Sequence, residues 1–198
     1  MERVKDKIYY QVATDRDYKV GQKLVFDRNT INGQYRKVMM TKFLLEGKRA
    51  SDFIYSKINK KFAKLKKDEL YDLAHILDDY DFTLRELALE FVREKEFPDK
   101  PSRLHCLYLS NNKDTSLSNL NDFVKSKKGK QFQVVAIKLN GTIFKAGEVT
   151  IARQGESMST YIEQARAYWS QNNIDDNKIK EILFEGTAEI VEIIKEIN

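Results

Sequence analysis

Phe132-Gln-Val-Val-Ala-Ile-Lys-Leu139 is the stretch on which the fold turns. Its run of apolar and β-branched residues has no 3.6-residue stripe, so it reads as a strand. Asn140-Gly141 follows at once, the dipeptide of a type I′ turn, and predicts a hairpin into Thr142–Phe144. Beyond it, Glu181–Phe184 and Ala188–Ile194 read as a closing pair of strands around Glu185-Gly186-Thr187. Between these strands Ser157–Ser170 is helical, with Ile162, Ala165 and Trp169 on one face. Upstream, Leu104–Ser110 reads as a strand and Ser116–Lys127 as a short helix.

The N-terminal half has a different period. Lys7–Ala13 is a short aromatic and β-branched strand, Val20-Gly21 a turn, Lys23–Phe26 a second strand, and Asn32-Gly33 a break. From Tyr35 to Lys67 the chain is Lys-rich and helical, with Val38, Phe43, Leu44, Phe53, Ile54, Ile58 and Phe62 as buried candidates. Leu70, Leu73, Ala74 and Leu77 then give the Asp68–Asp79 segment one apolar face. Thr83-Leu-Arg-Glu86 has the form of a capping box, which predicts a new helix starting there and ending by Phe97-Pro98. Helices gathered before and between strands, without βαβ alternation, predict a single α+β domain over residues 1–198.

Composition narrows the function classes. The chain has 198 residues, 41% of them apolar, with two prolines and eight glycines, so it has a core and no obvious linker. Its single cysteine, Cys106, excludes an intramolecular disulfide. The charged stretch Met1–Lys7 lacks the apolar centre of a secretion signal, and the expected location is the cytoplasm. The net charge of +5 is unevenly spread: residues 1–67 hold 18 Lys/Arg against 7 Asp/Glu, and residues 68–102 hold 4 against 11. A basic N-terminal third suits either a polyanion or an ordinary solvated surface. Lys60, Lys61, Lys64 and Lys67 are the candidate nucleic-acid contacts there, and Lys125, Lys127, Lys128 and Lys130 form a second cluster.

No GxxxxGK[ST] loop, strand-borne GxGxxG or HExxH occurs. One Cys and two His cannot make an ordinary structural zinc site, and no metal is expected. His75 reads as a boundary residue and His105 as a core-edge one. Cys106, in an apolar strand, reads as a buried inert thiol.

Strand-borne polar residues remain in three places: Tyr9-Tyr-Gln-Val-Ala-Thr14; Arg103-Leu-His-Cys-Leu-Tyr-Leu-Ser110; and Ala165-Arg-Ala-Tyr-Trp169 followed by Glu181-Ile-Leu-Phe-Glu-Gly186. In these motifs and their order the chain resembles the ADP-ribosyltransferase-like superfamily, and more closely a bacterial branch of domains of unknown function. The resemblance covers the first strand and about the last hundred residues, with residues 35–97 as a helical insertion. It implies two small, mostly antiparallel sheets enclosing an NAD site. It also implies transfer of ADP-ribose to a protein or nucleic-acid acceptor, or hydrolysis of NAD.

Carried over residue by residue, the resemblance makes Glu181 the catalytic carboxylate and places Tyr10, Gln11, Thr14, Arg103, Tyr108 and Ser110 around NAD. Gln11 stands where the superfamily often has His. Cleavage of the nicotinamide bond develops a cation on the ribose, which a carboxylate beneath the ring can stabilise. Glu185, on the same strand face, is the alternative carboxylate. Tyr108 would stack on nicotinamide and Arg103 would pair with the pyrophosphate. Tyr168 and Trp169 read as packing residues. The contrasting reading is a non-catalytic domain of the same shape that binds a nucleotide, nucleic acid or protein.

Overall fold

The computed structural model describes residues 1–58, 65–126, 130–147, 155–172, 174–175 and 178–197. Its elements are β1 (Glu2–Thr14), β2 (Lys23–Phe26), the helical turn α1 (Gly33–Tyr35) continuing as a π-turn to Met40, β3 (Leu44–Leu45), β4 (Lys48–Arg49), α2 (Ala50–Ile58), α3 (Lys67–Glu96), β5 (Leu107–Leu109), α4 (Lys113–Ser126), β6 (Phe132–Gly147), α5 (Met158–Trp169) and β7 (Ile179–Ile197). The protein is α+β with antiparallel sheets.

β6 pairs with β1 on one edge and with β7 on the other, while the far edge of β7 takes β2 and β5 in turn. Just past β5, Ser110 exchanges two backbone hydrogen bonds with Tyr10 of β1, at 2.9 and 2.8 Å. The sheet therefore curls until its ends meet. Alternate residues point inward and make the main core: Tyr9 and Ala13 of β1, Leu107 and Leu109 of β5, Val135, Ile137 and Leu139 of β6, Ile182 and Phe184 of β7. The expected two small sheets are thus one curled five-stranded sheet and a separate two-residue ladder, β3–β4.

Both expected turns in the long strands are absent. β6 runs straight through Asn140-Gly141, and β7 straight through Gly186. These glycines pair with each other. A Cβ on Gly141 would lie 2.2 Å from the Glu185 carbonyl oxygen, and one on Gly186, whose φ is +140°, would lie 2.4 Å from that of Asn140. They serve close strand approach, with the Phe184 ring over both, rather than a reversal. Asn140 is engaged across the sheet, accepting from the Asp6 amide at 3.1 Å.

The helices cover the outside of the sheet. Leu89 and Val92 of α3 and Ala165, Tyr168 and Trp169 of α5 pack with Phe144, Ala146 and Leu183, and Trp169 Nε1 donates to the Leu89 carbonyl at 2.7 Å. Each large side chain buried here contributes roughly 1.5–3 kcal/mol. Leu120 of α4 closes another flank with Phe132 and Val134. The 35–67 stretch is less helical than its composition suggests, because Glu46-Gly47 turns the chain into β3–β4 before α2 begins. Residues 59–64 lie outside the described residues.

α3 is one helix of 30 residues, with no restart at Thr83. Nothing between Asp79 and Thr83 breaks a helix, and Glu86 is recruited sideways by Arg103 instead of reaching back to a cap. The helix ends at Phe97-Pro98, as expected.

Candidate functional site

Ser102–Cys106 is a tight turn rather than the start of a strand, and β5 itself spans only Leu107–Leu109. Asn32 pins this turn by donating from Nδ2 to the carbonyls of Arg103 and Cys106 at 3.0 and 2.9 Å, and the Tyr108 hydroxyl donates to the Arg103 carbonyl at 2.9 Å. So held, Arg103 points between α3, α5 and β7.

All three nitrogens of its guanidinium are engaged there. Nε donates to Glu86 Oε2 at 2.9 Å and Nη2 to Glu86 Oε1 at 3.3 Å. Nη1 donates to the Tyr168 hydroxyl at 3.0 Å and also to Glu181 Oε1. The Tyr168 hydroxyl donates to that same Glu181 oxygen. One buried cation thus joins two carboxylates of different exposure: the Glu86 side chain is 0% exposed and that of Glu181 is 25% exposed.

Burial alone would raise the Glu86 pKa, but the Arg103 charge and its hydrogen bonds outweigh it and hold the carboxyl below its ordinary value. Burial likewise opposes the charge on Arg103, and its anionic and phenolic neighbours hold it protonated. Burial, then the Glu181 charge, pushes the Tyr168 phenol well up, and burial does the same for Tyr108. Both therefore stay neutral donors at physiological pH.

Glu181 opens onto a cleft of about 220 Å³ whose lining includes Tyr10, Gln11, Tyr108, Ser110 and Ser116. The cleft exists because β1 and β5 share only the Tyr10–Ser110 bridge among the described residues, and the strands part beyond it. Two of the lining residues also carry a buried polar atom, Gln11 Oε1 and Ser116 Oγ, that has no hydrogen-bond partner among the described residues. Native interiors rarely leave such atoms unmet. A second depression of about 450 Å³ shares Gln11, Val12 and Tyr108 and adds Thr14, Arg16 and Lys37.

Of the residues named from sequence, Tyr10, Gln11, Tyr108, Ser110 and Glu181 line the cleft together, and Thr14 lines the adjoining depression. Arg103 departs from expectation: it lies behind Glu181, 7% exposed, with all three guanidinium nitrogens hydrogen-bonded to Glu86, Tyr168 and Glu181, so it is not positioned for a pyrophosphate. Glu185 is turned toward the Ser102 amide, at 3.3 Å. Lys67 is exposed at the start of α3, while Lys60, Lys61 and Lys64, like Lys127 and Lys128, lie outside the described residues. Lys130 pairs with Asp15. His105 is a core-edge residue, its Nδ1 2.7 Å from the Thr30 carbonyl. Cys106 is buried, with its thiol pushed up by burial.

Sequence reasoning missed Glu86, Tyr168 and Ser116. The signal for Glu86 was its place on the face of Leu89, Val92 and Arg93, where an unpaired carboxylate would be intolerable. Among the described residues no group of three or more His, Cys, Asp or Glu is placed to hold a metal ion, and no helix is long and apolar enough to cross a membrane.

Fold and cleft together define an α+β protein with a carboxylate-bearing crevice at the seam of a curled sheet. The family described as "Protein of unknown function (DUF2441)" matches residues 9–196, nearly the whole chain, and the protein belongs to that family. No curated protein matches it.

Proposed function

We propose that the protein binds NAD in the crevice between β1 and β5 and acts as an ADP-ribosyltransferase-like enzyme. It would pass ADP-ribose to a protein or nucleic-acid acceptor, or to water. One observation carries the reading: Tyr10, Gln11, Tyr108, Ser110 and Glu181, which stand in three separate motifs, share one cleft.

The chemistry follows from the geometry. Arg103 and Tyr168 hold one Glu181 oxygen, which fixes the carboxylate plane and leaves the other oxygen to a ribose hydroxyl and to the cation that forms as nicotinamide departs. Gln11 and Ser116 bring an amide and a hydroxyl group to the cleft wall, residue types that pair with a carboxamide or a sugar. Tyr108, tied through its hydroxyl, offers a ring in fixed orientation for an aromatic ligand. The larger depression beside it, lined by Arg16, suits the phosphate-bearing half of a dinucleotide.

The non-catalytic reading draws on Gln11, an amide that binds without exchanging protons. NAD titration with thermal unfolding and nicotinamide release separates the two. Binding at a hundred times Kd stabilises the native state by about 2.7 kcal/mol. Glu181→Gln is expected to keep that shift and to lose nicotinamide release by at least about 100-fold. Normal release by the variant removes Glu181 from the mechanism. A shift without release in the parent protein establishes the binding-only reading, and no shift at millimolar NAD refutes the NAD site.

A further inference from the structure

The outward face of α3 carries an apolar stripe that the packing described above does not use. Leu77, Leu84 and Phe91 recur every seven residues, with Tyr80 and Leu87 three residues after the first two, which is the a and d spacing of a helix–helix seam. Their exposures are 67, 45, 53, 48 and 39% in that order. At about 100° per residue, this stripe lies roughly opposite Leu89 and Arg93, which are buried against the body. A surface helix normally has one apolar face. This one has two.

The stripe begins at Leu70, also exposed; Leu73, its next member, is covered by Phe53 of α2, so among the described residues the exposed seam runs from Leu77 to Phe91, with one side of the Tyr80 ring packed on Phe43, ring centroids 4.3 Å apart. Positions flanking it are largely small or uncharged: Ala74, Ile76, Thr83 and Ala88. The nearest carboxylates are already occupied, Asp81 by the Tyr161 hydroxyl at 2.6 Å and Glu90 by Arg93 at 2.7 Å.

We propose that a second copy of this chain covers the seam, α3 against α3, making the protein a two-fold dimer. A heptad seam is matched by a helix of the same spacing, and α3 supplies that spacing to its own copy. No row of like charges along the seam keeps two identical helices apart. The five exposed seam residues offer on the order of 500 Å² per copy, within the range of the largest patch on a monomer and, over two copies, about the ~1,000 Å² that a specific interface must clear. The dimer leaves the Glu181 cleft untouched, because α3 meets the body through its opposite face.

Sedimentation equilibrium on the full chain tests this, at concentrations up to about 0.1 mM. The expected mass is twice the 23.2 kDa of one chain. Replacing both Leu84 and Leu87 by Lys is expected to halve that mass while keeping the helical circular dichroism, since both side chains point away from the core. Leu77→Lys alone serves if the double variant does not fold. Tyr55→Lys, an exposed position on α2, should leave the dimer intact. A parent protein that is monomeric throughout overturns the proposal. So does a dimer that survives both seam substitutions.

Discussion

Glu86 and Glu181 sit on opposite sides of one guanidinium, and the two ends of that network differ in everything but chemistry. The inner end is sealed between α3 and the 102–106 turn, where Arg85 and Gln34 add to the two bonds from Arg103. The outer end meets Arg103 through a single nitrogen and faces the cleft. Burial with full pairing makes Glu86 an anchor, while the Glu181 side chain is 25% exposed and has one oxygen without a hydrogen bond among the described residues. The difference teaches that a carboxylate's role here is set by which side of Arg103 it occupies.

Removing the shared cation should have the largest effect. Arg103→Ala strands one carboxylate in the interior and releases the other, and is expected to cost about 3–5 kcal/mol. Urea unfolding measures it, and a loss below about 1 kcal/mol would show that neither end depends on Arg103.

Glu86→Gln should cost about 2 kcal/mol at neutral pH, and Glu181→Gln less than about 1 kcal/mol, because water reaches it. Their pH dependence should differ as well. The folded-state pKa of Glu86 lies below the ordinary 4.5, so its contribution is complete above pH 4.5 and is lost as pH falls through the lower, folded value. The melting temperature of the parent protein should therefore drop more steeply below pH 4.5 than that of Glu86→Gln. Parallel curves would mean that Glu86 is not held as an anion.

Thr83→Ala should have the smallest effect, within about 0.5 kcal/mol. Thr83 Oγ1 is buried in mid-helix without a partner among the described residues. A loss near 1 kcal/mol or more would restore it as a helix cap and with it a different partner for Glu86.

Much of this was legible in the chain. β2 at Lys23–Phe26, the helix within Ser157–Ser170, and the stop at Phe97-Pro98 all rest on local signals, and the structure keeps them. Three local signals misled: Asn140-Gly141, Gly186 and Thr83–Glu86. In each, a residue type suited to a turn or cap also suits a long-range need, close strand approach for the glycines and a buried counter-ion for Glu86. Five cleft residues could be named from their motifs, but the assignment of Arg103 to a phosphate failed because a buried carboxylate 17 residues away claims it.

The sequence by itself determined the α+β class and the polar residues that could carry chemistry, because periodicity and residue type are local properties of the chain. Which strand meets which, and therefore the gap at Gln11 and Tyr108 that makes the cleft, was decided only when the sheet curled and Ser110 closed on Tyr10. The same holds for the pairing of Arg103 with both Glu86 and Glu181. The physical reason is desolvation: a buried charge must find its opposite wherever the fold brings it, and sequence distance does not enter that requirement.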